Sequence, residues 1–411
     1  MSRATRPVRG SGDPYGILGS ERSLAPILAT IGLVLVAVLT VRLFTGDVGF
    51  LAGGPGASDD PGRPGPILTP APSNVVIPNE DPLAEVPGTI VYAKQGSTWL
   101  QYGRTVRQLT STGHDSMPSW SEDGQWIYYI ETREGRARWL VNGSARNYRL
   151  QEPVLMRVRA DGTAPAEELK RGRIRSGRYT WFGWMRSPVV SPDGKTVALV
   201  TDLPDPNARD VVLQLFDIET GKLTRAKASE EEPLGHQEPS WHPGGDLVLF
   251  VRNGRVGARG APAIWRYDLR TEKARAMTGG GYSAPAYSRD GRTIAATKTG
   301  GLGTDIVILD ASNGSEILRV TDDGRSWSPT WSPLGDAVAF LHMENGIVDL
   351  RMVRIVGPGT ALTRGEPLDL TRVSGLDGSS RPDWFIPAEQ LPPSPSPEPV
   401  PSEAGSPSPS P

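Results

Sequence analysis

The feature that most restricts this chain is a motif that returns five times and starts a sixth. The pattern is Pro-x-aromatic (Val190 takes the aromatic's place in the second copy), a Ser-Pro-Asp-Gly-like turn, then an alternating apolar strand. The first copy is Pro118-Ser-Trp120-Ser-Glu-Asp123-Gly124 followed by Trp126–Ile130. The others begin at Pro188, Pro239, Pro285 and Pro329, and the sixth stops after Pro382-Asp-Trp384. Successive prolines lie 70, 51, 46, 44 and 53 residues apart, enough for about four short strands per unit. Gly after Asp supplies the positive φ that a tight strand-to-strand turn needs, and Pro marks the start of a strand that gives up one ladder donor. The aromatic two residues after each Pro is predicted to pack between units. A second block, such as Val211–Asp217, Ile264–Asp268 and Asp305–Asp310, predicts the outer hairpins. Several units end in an apolar residue and Thr: Leu109-Thr110, Met277-Thr278, Val320-Thr321 and Leu370-Thr371.

The truncated sixth copy has its missing strands at the other end of the chain, in Gly88–Ala93, Thr98–Tyr102 and Arg107–Thr110. The last strand is therefore predicted to complete the first sheet, closing a ring and removing free sheet edges. The expected fold is all-β, a six-bladed β-propeller over 88–386, preceded by one N-terminal transmembrane helix. The Leu-Thr, Pro-x-Trp-Ser-Pro-Asp-Gly, apolar-strand signature resembles the six-bladed propeller of the TolB type, over nearly three quarters of the chain. Propellers with this repeat are mostly periplasmic or surface proteins that bind other proteins, and some regulate an attached peptidase. The small α/β domain that precedes the propeller in TolB has no counterpart here, which puts a Tol–Pal role in doubt.

Outside the repeat, Ser23–Val41 holds no charged side chain and, extended to Phe44, is long enough to span a bilayer. Arg3, Arg6, Arg9 and Arg22 precede it, while Asp47, Asp59 and Asp60 follow, so residues 1–22 are read as cytoplasmic and the propeller as extracytoplasmic. The flank Arg42-Leu43-Phe44 offers no small-x-small cleavage site, which favours an uncleaved signal anchor over a signal peptide. Residues 45–87, rich in Gly and Pro, read as a stalk, and 387–411 as a disordered Pro/Ser tail, either a spacer or a glycosylation site.

The chain has no Cys and only four His, and neither His-Glu-x-x-His nor Gly-x-Ser-x-Gly occurs. No cofactor or metal is expected. Function is instead predicted at the channel mouth, where the segments before each Pro-x-aromatic converge: Asp115, Arg186, His236, Glu238, Tyr282, Trp327 and Arg381. A second candidate is the long insert 131–186, with 13 Lys and Arg against 6 Asp and Glu. Its basic cluster, Lys170, Arg171, Arg173, Arg175 and Arg178, runs into Trp181 and Trp184. Either the arginines line a solvated strand edge with both Trp in the core, or the cluster grips an acidic partner, an anionic envelope polymer or lipid headgroups. The sequence thus points to a binding or scaffold module for a protein, peptide or cell-wall glycan, without nucleic acid. The alternative is a propeller lyase or glycan hydrolase using Asp115, His236, Glu238 and Arg381.

Overall fold

The computed structural model describes residues 74–76, 83–204, 210–228, 235–253, 261–357, 359 and 361–392. All fall within the unit Pro66–Pro411. The span predicted over 23–44, the terminus before it and most of the stalk and tail lie outside the described residues. Among those described, no helix is long and apolar enough to cross a membrane.

Six antiparallel sheets follow one another along the chain. The first contains β1 (Asn74–Val76), β2 (Thr89–Lys94), β3 (Ser97–Tyr102) and β4 (Thr105–Gln108). The second contains β5 (Asp115–Trp120), β6 (Trp126–Val141), β7 (Ser144–Arg159), β8 (Glu167–Arg171), β9 (Arg173–Ser176) and β10 (Tyr179–Phe182). Blade three is β11 (Met185–Val190), β12 (Thr196–Thr201), β13 (Val212–Asp217) and β14 (Leu223–Arg225). Blade four is β15 (His236–Trp241), β16 (Leu247–Arg252), β17 (Ala263–Asp268) and β18 (Lys273–Ala276). Blade five is β19 (Tyr282–Tyr287), β20 (Thr293–Gly300), β21 (Gly303–Asp310) and β22 (Glu316–Arg319). Blade six is β23 (Ser326–Trp331), β24 (Ala337–Glu344), β25 (Ile347–Val356) and β26 (Thr363–Asp369).

The final strand, β27 (Asp383–Phe385), returns to the first sheet and pairs with β2 through Thr89↔Phe385, Ile90↔Trp384 and Val91↔Asp383. The strands that carry the repeat's Pro, namely β5, β11, β15, β19, β23 and β27, each touch the next, and β27 touches β5. The ring is closed as predicted, with these strands innermost. Beyond the expected boundary of the propeller, β1 adds an outer fifth strand by pairing with β4, and Ala388–Gln390 forms a 3-10 turn after β27.

The core is divided into six apolar layers, one at each interface between neighbouring blades. Trp241, Tyr287, Trp331 and Trp384 are each less than 10% exposed and belong to four of these layers, and Trp120 packs against a fifth. The turn glycines have the expected left-handed φ, and two of them also let neighbouring blades approach closely. A Cβ on Gly124 would meet the Phe385 ring of the preceding blade at 2.1 Å, and one on Gly291 would meet His242 at 2.3 Å. The Leu-Thr pairs now have a physical reason. The apolar member enters an interblade layer, while the Thr hydroxyl accepts a backbone N–H from the blade's third strand or its equivalent. The pairs are Thr110 with Thr98 (2.9 Å), Thr278 with Ile264 (3.0 Å), Thr321 with Ile306 (2.9 Å) and Thr371 with Leu350 (2.8 Å).

Because Trp384 joins β27 to β2, fills the layer between blades six and one, and donates its indole N–H to Pro87 O at 2.9 Å, Trp384→Ala should act on the whole ring. The expected loss is about 3–5 kcal/mol in urea unfolding, the usual cost of truncating a buried Trp.

Candidate functional site

Five of the six innermost strands carry the same irregularity. The register slips between Ser116 and Ser119, Arg186 and Val189, Gln237 and Ser240, Ser283 and Ala286, and Trp327 and Thr330. Within each slip sits a non-glycine residue at positive φ: Met117, Ser187, Glu238, Ala284 and Ser328. Such bulges bend a strand and re-aim its side chains. Four of the five bulge amides donate to a side chain of the preceding blade. Met117 N meets Ser380 Oγ (3.0 Å), Ser187 N meets Met117 Sδ (3.2 Å), Ala284 N meets Glu238 Oε2 (2.6 Å) and Ser328 N meets Thr297 Oγ1 (3.0 Å). The bulges therefore stitch the ring around its axis.

Arg381 crosses that axis. It leaves blade one and donates to Pro285 O of blade five (2.7 Å) and Pro239 O of blade four (3.2 Å). Two carboxylates feel its charge, Glu238 and Asp383, and Glu238 also feels Arg186. Asp383 accepts the amides of Trp120 (2.9 Å) and Trp384 (3.0 Å). Burial pushes both carboxyls above the usual carboxylate range, opposed by these amides and by Arg381. Asp383 was not singled out from the sequence. The signal was there: it occupies the middle of Pro-x-aromatic, where other copies carry Ser119, Val189, Ser240, Ala286 and Thr330.

Of the other mouth candidates, Arg186 is exposed, and Tyr282 and Trp327 are half-buried. The Tyr282 hydroxyl reaches Glu316 (3.4 Å) with Lys298 over its ring, and Trp327 donates to Gly378 O (2.8 Å). Asp115 and His236 lie inside the blades, at 1% and 2% exposure. Asp115 accepts the Thr112 hydroxyl at 2.7 Å, and burial raises its carboxyl. His236 Nδ1 accepts the Leu213 amide at 3.0 Å, serving in blade three where other blades use the Leu-Thr hydroxyl. Burial, with Arg252 and Arg225 nearby, lowers its pKa to about 3, so the ring is neutral at physiological pH. The structure brings Arg186, Glu238 and Arg381 together and keeps Asp115 and His236 apart from them. Among the described residues no group of three His, Asp or Glu could hold a metal ion.

Further carboxylates clamp the loops of the rim. Asp349 accepts Val373 N (2.8 Å) and Ser374 N (2.9 Å), Asp377 accepts Gln95 N (3.1 Å) and Gly96 N (3.0 Å), and Asp305 accepts Gly324 N (2.9 Å). Beside this rim stands the insert. β6 pairs with β5 only as far as Glu131↔Asp115, then continues ten residues beyond it, paired with β7 throughout. Trp181 joins Trp139 and Tyr148 in an aromatic cluster of this arm, whereas Trp184 is 65% exposed and not in the core. The basic cluster is divided, since β8 and β9 lie at opposite edges of the sheet. Arg171 pairs with Glu168 (2.6 Å) and Arg173 with the buried Glu152 (2.5 Å), while Lys170 is half-buried.

Replacing Arg381 with Met removes the cation that two half-buried carboxylates face and leaves two proline carbonyls without a donor. The expected cost is about 3–5 kcal/mol in urea unfolding. A second change, Glu238→Gln, should recover part of it, giving a coupling of about 1–2 kcal/mol in the double-mutant cycle.

No family model matches the chain. Among curated proteins, the Tol-Pal system protein TolB of Francisella tularensis subsp. tularensis is 26% identical over 294 residues, 65% of this chain and 58% of that protein. An uncharacterized protein of Agrobacterium fabrum is 28% identical over 158 residues, 37% of this chain and 45% of its own length. The chain thus spans about half the length of the curated relatives it matches. The crystal structure of TolB from Acinetobacter baumannii superposes with a TM-score of 0.52 at 18% identity, covering 72% of this chain and 66% of that one. The chain is a six-bladed β-propeller similar in sequence and in fold to TolB proteins.

Proposed function

We propose that the chain is a membrane-anchored, extracytoplasmic binding module that takes a protein or peptide at the mouth of its propeller. The observation that carries this reading is the pairing of a rigid rim with a crossed channel. Carboxylate-to-amide bonds hold the rim loops, and Arg381 spans the axis below them. A ligand would be held at the opening and would not pass through. A rim already fixed by its own hydrogen bonds loses little freedom on binding, which favours affinity. Exposed Arg186 and Gln237 and half-buried Tyr282 and Trp327 offer charged, amide and aromatic contacts of the kind that anchor protein interfaces. The anchor and orientation rest on the apolar run 23–44 and its basic N-terminal flank. The name of the Francisella relative, a Tol-Pal system protein, is in keeping with a role beside other proteins.

The test is photo-crosslinking in intact cells, with a photoreactive side chain at exposed Gln237 of the full chain. One discrete protein adduct is expected, reduced about tenfold by Arg186→Glu, since rim charges tune association. The same probe at exposed Arg319, on the outer strand of blade five, should give no such adduct. Adducts equal at both positions, or unchanged by Arg186→Glu, would remove the mouth from the account.

A further inference from the structure

The arm divides its cations into two sets. Near the blade, every arginine of the first set meets a carboxylate: Arg133 meets Glu131 and Glu168 (both 2.7 Å), Arg157 meets Glu167 (2.7 Å), and Arg171 and Arg173 are paired as described above. Toward the tip the pairing stops. Among the described residues, Arg136, Arg138, Arg146, Arg175 and Arg178 are all exposed, and no carboxylate is within ion-pair distance of any of them.

Strand register places four arginines on one face. Arg138 stands opposite Asn147 on one side and Thr180 on the other, and Thr180 stands opposite Arg175. Two residues along, Arg136 stands opposite Arg149. Directly opposed residues share a face, so Arg136, Arg138, Arg149 and Arg175 form one exposed grid. Neighbouring strands lie roughly 5 Å apart and alternate residues of one strand roughly 7 Å apart, which sets the spacing of the grid. The lone counter-charge is Glu134, 3.3 Å from Arg149 and equally solvated. Like charges set directly opposite destabilise a sheet. The arm tolerates this because its other face supplies the cohesion. There Trp139, Tyr148, Tyr179 and Trp181 pack edge-to-face or tilted, with ring centres 5.7 to 6.1 Å apart, and Asn142-Gly143, both at positive φ, closes the β6–β7 hairpin.

We propose that this arginine face binds a linear polyanion, a polymer bearing regularly repeated phosphate or carboxylate groups, alongside the rim. The four arginines are spread over β6, β7 and β9, so affinity comes from several charges of one chain engaged together. Arginine forks match phosphate and carboxylate oxygens in bidentate fashion. A lipid surface fits less well: among the described residues of this hairpin Leu140 is the large apolar side chain that is exposed, and interfacial helices or strands hold a membrane by a broad apolar face.

The test uses the full chain in mild detergent with long-chain inorganic polyphosphate as the probe, read by fluorescence anisotropy across salt concentrations. The variant carries Arg136→Gln, Arg138→Gln, Arg149→Gln and Arg175→Gln together, and Arg319→Gln is the control. Binding should weaken roughly a hundredfold in the fourfold variant, with a log–log salt slope shallower by about three, and not in the control. Near-ultraviolet circular dichroism of the fourfold variant should match the parent, showing the ring intact. The proposal is overturned by any of three results: no polyphosphate binding by the parent, equal binding by the fourfold variant, or binding confined to phosphatidylglycerol vesicles with none to the soluble polymer.

Discussion

Three backbone pairs between β27 and β2 decide whether this chain is a ring or a row of sheets. They join segments whose indole-to-carbonyl contact, Trp384 to Pro87, spans 297 residues of sequence. No blade owns a core of its own, because the apolar layers lie between blades. Opening the ring would expose one whole layer, that of Ile90, Leu341, Met352 and Trp384, and two sheet edges with it. The chain therefore pays the entropy of one long closure to satisfy six interfaces at once.

Closure also creates the axis, and the axis explains the polar chemistry. Six strands meeting at an axis would leave backbone amides unpaired where five of them bulge. Side chains of the neighbouring blade meet four of those amides, and Arg381 reaches across to two carbonyls that face the channel. The half-buried carboxylates of Glu238 and Asp383 are held by Arg381 and by backbone N–H groups that face them. The rim inherits its rigidity from this arrangement, and the arm of blade two rises beside it.

Repeat spacing, the glycine turn and the split first blade were legible because the local pattern recurs in five full copies and a truncated sixth. Sidedness at the mouth was not. Alternation along a strand tells in from out only while the register holds, and the bulge beside Met117, Ser187, Glu238, Ala284 and Ser328 shifts it by one residue. That shift is why His236 and Asp115 turn into the blades while Glu238 meets Arg381. The arm was unreadable for a different reason. Neighbouring basic residues diverge: Arg171 finds Glu168 on its own strand, Arg173 finds Glu152 on β7, and only register separates paired arginines from free ones. Trp184 illustrates the same limit, since its exposure depends on where β10 ends, not on its own chemistry.

The closed ring can be tested directly because the chain contains no cysteine. Thr89→Cys and Phe385→Cys place two thiols at directly opposed positions of β2 and β27, where Cα atoms roughly 4.5–5.5 Å apart suit a disulfide. Mild oxidation of the folded protein should consume both thiols within one chain and raise the urea midpoint of unfolding. Two thiols that stay reactive in the folded chain, or that link only between molecules, would contradict the ring on which the mouth and its rim depend.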